Sequence, residues 1–312
     1  MGKEGGVKEM RVGLIDIDNT KFPTLTLMKL SAWHKAHGDD VELTTAEDIV
    51  YFDLFKEPYD KIYASCIFSW NRPIAEKLIL CGGVKIGGSG WNMSIKLPDE
   101  IEHIYPDYSL YGDEDTAIGF MTRGCPRQCP FCIVKDKEGI QSVKVADLSE
   151  FWHGQKNIEI MDPNLLACPS HMDLLGQLVD SGAWINIDQG LDCRLLTDEN
   201  IALINQMKIK LLHFAWDNPR DKTVPRMLAK FAEVNSLDYR KRKVYCIANY
   251  WSTPEEDLER IYWLRENGYD PYLMLYDKQN APRITRLMQR WVNNKIIFRS
   301  CERFEDYDCK RG

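Results

Sequence analysis

Residues 122–134 read Thr-Arg-Gly-Cys-Pro-Arg-Gln-Cys-Pro-Phe-Cys-Ile-Val. Cys125, Cys129 and Cys132 stand in the spacing C-x3-C-x2-C. Gly124, Pro126 and Pro130 break any helix or strand through this stretch, so it is a loop. A loop can fold its sulfurs around one centre, whereas a helix would spread them over different faces. Three thiolates this close can ligate three irons of one [4Fe–4S] cube and leave the fourth without a protein ligand. A zinc site and three buried thiols are the other readings. Zinc takes four protein ligands in paired spacings, and no partner pair lies nearby. The preceding run, Ala117–Thr122, reads as a short buried strand. The cysteines therefore follow the C-terminal end of a strand, where α/β folds place their chemistry.

With Phe131 just before the last cysteine and a strand in front, the motif resembles that of the radical S-adenosylmethionine (SAM) superfamily. The resemblance implies that Cys125, Cys129 and Cys132 hold a [4Fe–4S] cluster whose open iron takes the amino and carboxylate groups of SAM. It further implies reductive cleavage of SAM to a 5′-deoxyadenosyl radical, with electrons from a flavodoxin- or ferredoxin-type partner.

The chain has 312 residues, enough for about two domains. Apolar content of 44% and charged content of 28% are those of a globular protein. No apolar run approaches a membrane span. Residues 1–9 have no apolar stretch behind their charge and read as a disordered leader, not a signal peptide. Ten cysteines then argue for reduced thiols and metal chemistry in a reducing cytoplasm. The net charge of −7 argues against nonspecific nucleic-acid binding by the whole surface.

Between residues 10 and 98 strands and helices alternate. Arg11–Asp18, Asp40–Leu43, Lys61–Phe68 and Val84–Ile86 read as strands, and Leu25–His37 and Pro73–Cys81 as helices. Alternation of this kind gives an open, mostly parallel, Rossmann-like sheet. The glycines at 82, 83, 87, 88 and 90 do not form G-x-G-x-x-G and read as tight turns at the sheet edge. The domain resembles the cobalamin-binding-like or methylthiotransferase-type domain that precedes many radical SAM barrels. It lacks the Asp-x-His-x-x-Gly cobalamin motif, and it holds only Cys66 and Cys81 where a second cluster would take three cysteines. Residues 99–115, rich in Pro, Asp, Glu and Tyr, read as a linker.

From residue 116 to 312 the alternation resumes. After the cysteine loop, Val134–Ile140 reads as a polar flap. Strands are expected at Asn157–Met161, Trp184–Ile187, Lys210–Ala215, Lys243–Ala248 and Asp270–Leu275, with helices between, among them Glu199–Met207, Val224–Val234 and Pro254–Asn267. With the strand before the cysteines this makes six β/α units, which resembles the partial (β/α)6 TIM-type barrel of the superfamily. Each strand stops at polar residues, and in a β/α barrel those ends line one cavity. The same residue types also cap the helices that follow. By position, the resemblance implies Asp162 and Asn164 for the SAM amino group and Arg194 for its carboxylate. It implies Gln189 or Asp217 for the ribose, and the backbone at Phe131 with Asn249 for the adenine.

Cys301 and Cys309 could form half of an auxiliary cluster site, and Cys193 a substrate or radical residue; packed thiols are the plainer reading. Arg240–Lys243 and the six cations between Arg283 and Arg303 suggest either a solvated face or a dock for a nucleic acid or anionic substrate. Helical spacing of Ile284, Leu287, Met288 and Trp291 suggests the buried face there. The sequence reads as a two-domain radical SAM enzyme of unassigned substrate. The competing classes are an iron–sulfur electron-transfer or redox-sensing protein and a zinc-stabilised nucleic-acid-binding module.

Overall fold

The computed structural model describes residues 9–20, 22–51 and 58–308. The chain forms two compact units, residues 1–118 with 149–153, and residues 119–148 with 154–312. The leader and Cys309 lie outside the described residues, apart from Glu9.

The first unit is built on four parallel strands, β1 (Arg11–Asp16), β2 (Asp40–Thr44), β3 (Lys61–Ser65) and β4 (Val84–Gly87), in the order β2-β1-β3-β4. Helices α1 (Leu25–Ala36), α2 (Ala46–Val50), α3 (Arg72–Leu80) and α4 (Asp99–Glu102) complete it. The central strand is apolar on both faces because both are covered. Val12 and Leu14 pack with Leu27 and Leu30 of α1. Ile15 and Ile17 pack with Ala75 and Leu78 of α3. Gly38, in left-handed backbone at φ +82°, follows the end of α1, and Pro73 opens α3.

The glycine-rich stretch closes the sheet edge on itself. A Cβ at Gly88 would collide with the backbone of Cys66, and one at Gly90 with that of Phe68. The loops after β3 and β4 are thereby pressed together, with Cys66 N bonded to Gly87 O at 2.9 Å and Gly90 N to Cys66 O at 3.0 Å. Cys66 is buried at the end of β3, whereas Cys81 is exposed at the far end of α3. The nine residues of α3 span about 13 Å, so the two thiols belong to opposite ends of the neighbouring strands β3 and β4. Residues 99–115 are packed as part of this unit. Ile101 joins the α1 core, and Asp107 accepts from Ser31 Oγ at 2.6 Å and Lys35 Nζ at 2.7 Å. Tyr108 is buried, its hydroxyl donating to Phe151 O at 2.7 Å.

The second unit carries a six-stranded sheet. Its first strand, β5 (Thr116–Gly119), straddles the boundary, with residues 116–118 counted in the first unit and Gly119 in the second. A short antiparallel pair follows, β6 (Thr122–Arg123) with β7 (Val143–Lys144), which brackets the cysteine loop and the one-turn helix α5 (Val134–Lys137). Then come β8 (Asn157–Ile160), β9 (Trp184–Leu191), β10 (Lys208–Ala215), β11 (Arg242–Ala248) and β12 (Asp270–Leu275). The order β12-β11-β10-β9-β8-β5 runs strictly in sequence, and the pairings from β8 through β12 are all parallel. Helices α6 (His171–Ser181), α7 (Asp198–Ile204), α8 (Thr223–Val234), α9 (Pro254–Glu266), α10 (Arg283–Asn293) and α11 (Lys295–Ser300) make the crossovers and the C-terminal end. Capping boxes start α7 (Thr197 with Asn200) and α9 (Thr253 with Glu256). One sheet face is apolar and buried: Ile158, Ile160, Ile185, Ile187, Leu212, Phe214, Val244, Cys246 and Leu273.

Two expectations for this unit need correction. Strand β9 does not stop at Ile187 but runs on to Leu191 through a bulge opposite β10. The buried stripe of α10 is Thr285, Met288, Trp291 and Val292; Ile284 is 46% exposed. In the run Arg240–Lys243, Arg240 is exposed, Lys241 and Lys243 are half-buried and Arg242 is buried. Arg240 pairs with Asp238 at 2.7 Å, and Lys241 Nζ donates to Ile209 O at 3.0 Å. Arg242 is buried over the Tyr269 ring. Among the described residues no helix is long and apolar enough to cross a membrane.

Candidate metal centre

The cysteine loop is held from below by an acidic strut. Asp162, fully buried at the end of β8, accepts from Met121 N at 2.8 Å and from Thr122 Oγ1 at 2.6 Å. Each carboxylate oxygen thus accepts from the strand that enters the loop. Burial pushes its carboxyl up to about 7 against these hydrogen bonds. Glu138, after α5, clasps the loop's start, accepting from Arg123 Nη1 at 2.9 Å and Gly124 N at 3.3 Å. Gly124 has φ +84°, and a Cβ there would collide with Gln141 O. Cys125 N donates to Gly139 O at 3.2 Å, and Cys132 N to Cys129 O at 3.0 Å. The loop therefore turns tightly enough for its three half-buried thiols to feel one another.

The ends of four successive strands reach this loop. From β8, Asn164 is 3% exposed and points its Nδ2 at Cys125 Sγ, 3.5 Å away, while its Oδ1 has no partner. From β9, Asp192 pairs with Arg127 of the loop and with Arg194 Nε at 2.7 Å; Arg194 Nη1 also meets Asp221 at 3.2 Å. Burial works against the Asp192 carboxylate, but the two guanidinium groups outweigh it and hold it below the usual carboxylate range. From β10, Asp217 accepts from Ile247 N at 3.1 Å, and burial raises its carboxyl. From β11, Tyr250 and Trp251 set their rings edge-on to Phe131, each at 5.4 Å. Asn249 just before them adopts left-handed backbone, φ +63°. Gln189 is exposed in the β9 bulge.

Burial raises the Cys129 thiol, and the negative charge of Asp217 and of the two neighbouring cysteines adds to it, with Arg194 opposing. Burial likewise raises Cys132, against a hydrogen bond from Val134 N, and Cys125 and Asp217 add to it. Ionising such cysteines together beside a carboxylate takes a positive centre, and an iron–sulfur core would supply one. The N–H donor on Cys125 and the orphaned Asn164 Oδ1 fit such a group, since ligating sulfurs take second-layer hydrogen bonds. Among the described residues no group of three or more His, Cys, Asp or Glu side chains stands where it could hold a metal ion.

Sequence reasoning missed Asp192, Arg127 and Glu138, whose partners are far apart in the chain. It also missed Arg260, 2% exposed in α9, which donates to Asp217 O at 2.8 Å and Ile247 O at 2.9 Å and also reaches Trp216 O. An arginine among the apolar positions of a helix was the available signal. Beside the loop lies a cavity of about 420 Å³ lined by Pro126, Ile140, Val143, Cys168 and Pro169 among others. Cys168, Cys193 and Cys246 are buried thiols, and burial pushes Cys193 up to about 12.

No family model matches the chain, and no curated protein does. Among solved structures it is similar to a radical SAM methyltransferase, TsrM of Kitasatospora setae, with its tryptophan substrate and the SAM analogue aza-SAM bound. The identity is 11% and the TM-score 0.44, over 85% of this chain and 67% of that one. It is also similar to Streptococcus suis SuiB bound to the precursor peptide SuiA, at 11% identity and TM-score 0.41 over 60% of this chain and 46% of that one. For SuiB bound to S-adenosylmethionine the values are 11%, 0.39, 60% and 48%. The chain thus spans about half the length of SuiB.

Proposed function

We propose that the chain is a radical SAM enzyme whose second unit is a partial (β/α)6 barrel and whose first is a Rossmann-like domain without cobalamin. The observation that carries this is the meeting of a C-x3-C-x2-C loop with the ends of β8, β9, β10 and β11. Cys125, Cys129 and Cys132 would hold a [4Fe–4S] cluster and leave one iron open to the amino and carboxylate groups of SAM. When bound and reduced by a flavodoxin- or ferredoxin-type partner, that cluster supplies the electron that cleaves the sulfonium, as in the superfamily.

The chain's own residues bind and aim. Asn164 steadies Cys125 with its amide N–H and keeps Oδ1 for the SAM ammonium. Arg194, neutralised in part by Asp192 and Asp221, offers its remaining N–H groups to the carboxylate. Asp217, beside Cys129, is better placed for the ribose hydroxyls than exposed Gln189. Phe131, walled by Tyr250 and Trp251, and Asn249 form the apolar side for adenine. These walls exclude water from the reacting centre. An oxygen-sensitive centre of this kind suits the cytoplasm.

The test is anaerobic reconstitution with iron and sulfide, then dithionite and SAM, with 5′-deoxyadenosine as the readout. Formation by the wild type and not by Cys129→Ala supports the reading. A fully loaded protein that yields none is an electron-transfer or redox-sensing protein instead.

A further inference from the structure

The other face of the second unit's sheet carries a polar cluster that the cysteine site does not use. On β9, Asn186 is 5% exposed; its Nδ2 donates to Asp188 Oδ1 at 3.2 Å, and its Oδ1 has no partner. On β10, His213 is 3% exposed, with Nδ1 2.8 Å from Ile187 O. A carbonyl only accepts, so Nδ1 carries the proton. Burial lowers the ring's pKa, against the Ile187 hydrogen bond and the nearby Asp188, so the ring is neutral and Nε2 keeps a bare lone pair. On β11, the Tyr245 ring lies flat against His213, 5.0 Å away at 5°, and its hydroxyl donates to Asp188 O at 3.2 Å.

A distortion of the sheet aims this cluster. The β9–β10 register jumps from Ile187↔Leu212 to Leu191↔Phe214, so the stretch Asp188–Gly190 bulges over His213. Gly190 allows it, at φ +97°, where a Cβ would stand 3.2 Å from His213 O. Tyr272 and Met274, each 38% exposed, border the cluster from β12, with Tyr272 in register with Tyr245. Lys243 is in register with His213 on one side and with Asp270 on the other, and Asp270 is itself paired with Lys295 Nζ at 2.9 Å. His213 lies four residues below Asp217, roughly 13 Å along β10.

We propose that Asn186, Asp188, His213 and Tyr245 bind a protonated amine carried on a flat apolar group, an arylalkylammonium. An ammonium has three N–H donors, and the cluster offers three acceptors: Asn186 Oδ1, the Asp188 carboxylate and His213 Nε2. The carboxylate supplies the counter-charge, Tyr245 a ring for the cation, and Tyr272 with Met274 an apolar border for the flat group. That this is the substrate's place rests on the radical SAM reading; the binding itself does not.

The probe is benzylamine, protonated at neutral pH, added to the full-length, anaerobically reconstituted protein with 15N-labelled histidine. The expected result is binding that shifts the His213 Nε2 resonance, with benzyl alcohol and benzoate weaker by about tenfold or more. Asp188→Asn and His213→Leu should each weaken benzylamine by a similar factor, while His213→Gln, which restores an acceptor, stays within a few-fold of wild type. Asp188→Asn keeps shape and volume and so decides the matter even if His213→Leu does not fold. No binding, binding untouched by Asp188→Asn, or a proton on Nε2 would overturn the proposal. Assay of 5′-deoxyadenosine on the same preparations separates the two readings. Nucleoside without amine binding sinks only this site, and amine binding without nucleoside sinks only the radical SAM assignment.

Discussion

Asn164 and Cys125, 39 residues apart, meet at 3.5 Å, the amide Nδ2 of one pointing at the Sγ of the other. The contact joins the end of β8 to the first cysteine of the loop. A hydrogen bond to a ligating sulfur withdraws charge from it and makes the cluster easier to reduce. Asn164→Ala should therefore load iron but show a lower reduction potential, and 5′-deoxyadenosine formation should fall by about tenfold to a hundredfold. Potentiometric titration followed by electron paramagnetic resonance checks the first point. An unchanged potential would mean that the contact does not survive cluster binding.

Gly124 and Gly139 both sit in left-handed backbone, at φ +84° and +98°, but only Gly124 faces backbone where a Cβ would go. Gly139→Ala meets open space and should cost about 1 kcal/mol from the backbone conformation alone. Gly124→Ala must also push Gln141 away, which parts β6 from β7 and spreads the cysteines. The expected outcome is near-normal iron content for Gly139→Ala and loss of most of it for Gly124→Ala, measured after identical reconstitution.

Both the strand–helix alternation and the cysteine loop were legible in the sequence, because apolar runs, cap residues and loop breakers are local signals. The parallel sheets follow from them. Asp162 shows where such reading stops. An aspartate ending a strand carries no local sign that it props up the neighbouring strand, and its bonds to Met121 and Thr122, about forty positions earlier, appear only in the fold. The extension of β9 was hidden for a similar reason. Asp188, Gln189 and Gly190 resemble a strand end, and the bulge that carries the strand past them exists only against β10. In α10 the apolar spacing was ambiguous by one position, and packing chose Thr285 over Ile284.

Asp162 makes an unusual contribution to the dependence of stability on pH. Its carboxyl is pushed up to about 7 in the folded chain from an ordinary 3.8, so the folded state keeps a proton that the unfolded state gives up. The stability this proton brings is present below the unfolded value and is lost as pH rises towards 7, the reverse of the usual salt-bridged carboxylate. Asp162→Asn removes the titration. Relative to wild type it should gain on the order of 3 kcal/mol between pH 5 and pH 8, as read from urea midpoints of the cluster-free protein. A constant difference between the two proteins across that range would show that Asp162 is already ionised when folded.

Arg260 and Asp257 form a buried ion pair inside α9, each 2% exposed or less, and Arg260 also holds the carbonyls of Trp216, Asp217 and Ile247. The guanidinium thus ties the end of β10 to β11 and fixes the backbone of Asp217 beside the cysteine loop. Arg260→Met fits the same space but leaves Asp257 as an uncompensated buried charge, at a cost of about 3–5 kcal/mol. Asp257→Asn alone should cost less, because Arg260 keeps its three carbonyls. The double variant Arg260→Met/Asp257→Asn should regain part of the loss, since no unpaired charge remains. Yet the double variant should bind SAM more weakly than wild type, because Asp217 loses its tether whichever residue stands at 257. Urea unfolding and equilibrium SAM binding on the four proteins separate the two effects. Recovery of stability with full recovery of SAM binding would show that Arg260 acts on the charge of Asp257 and not on the position of Asp217.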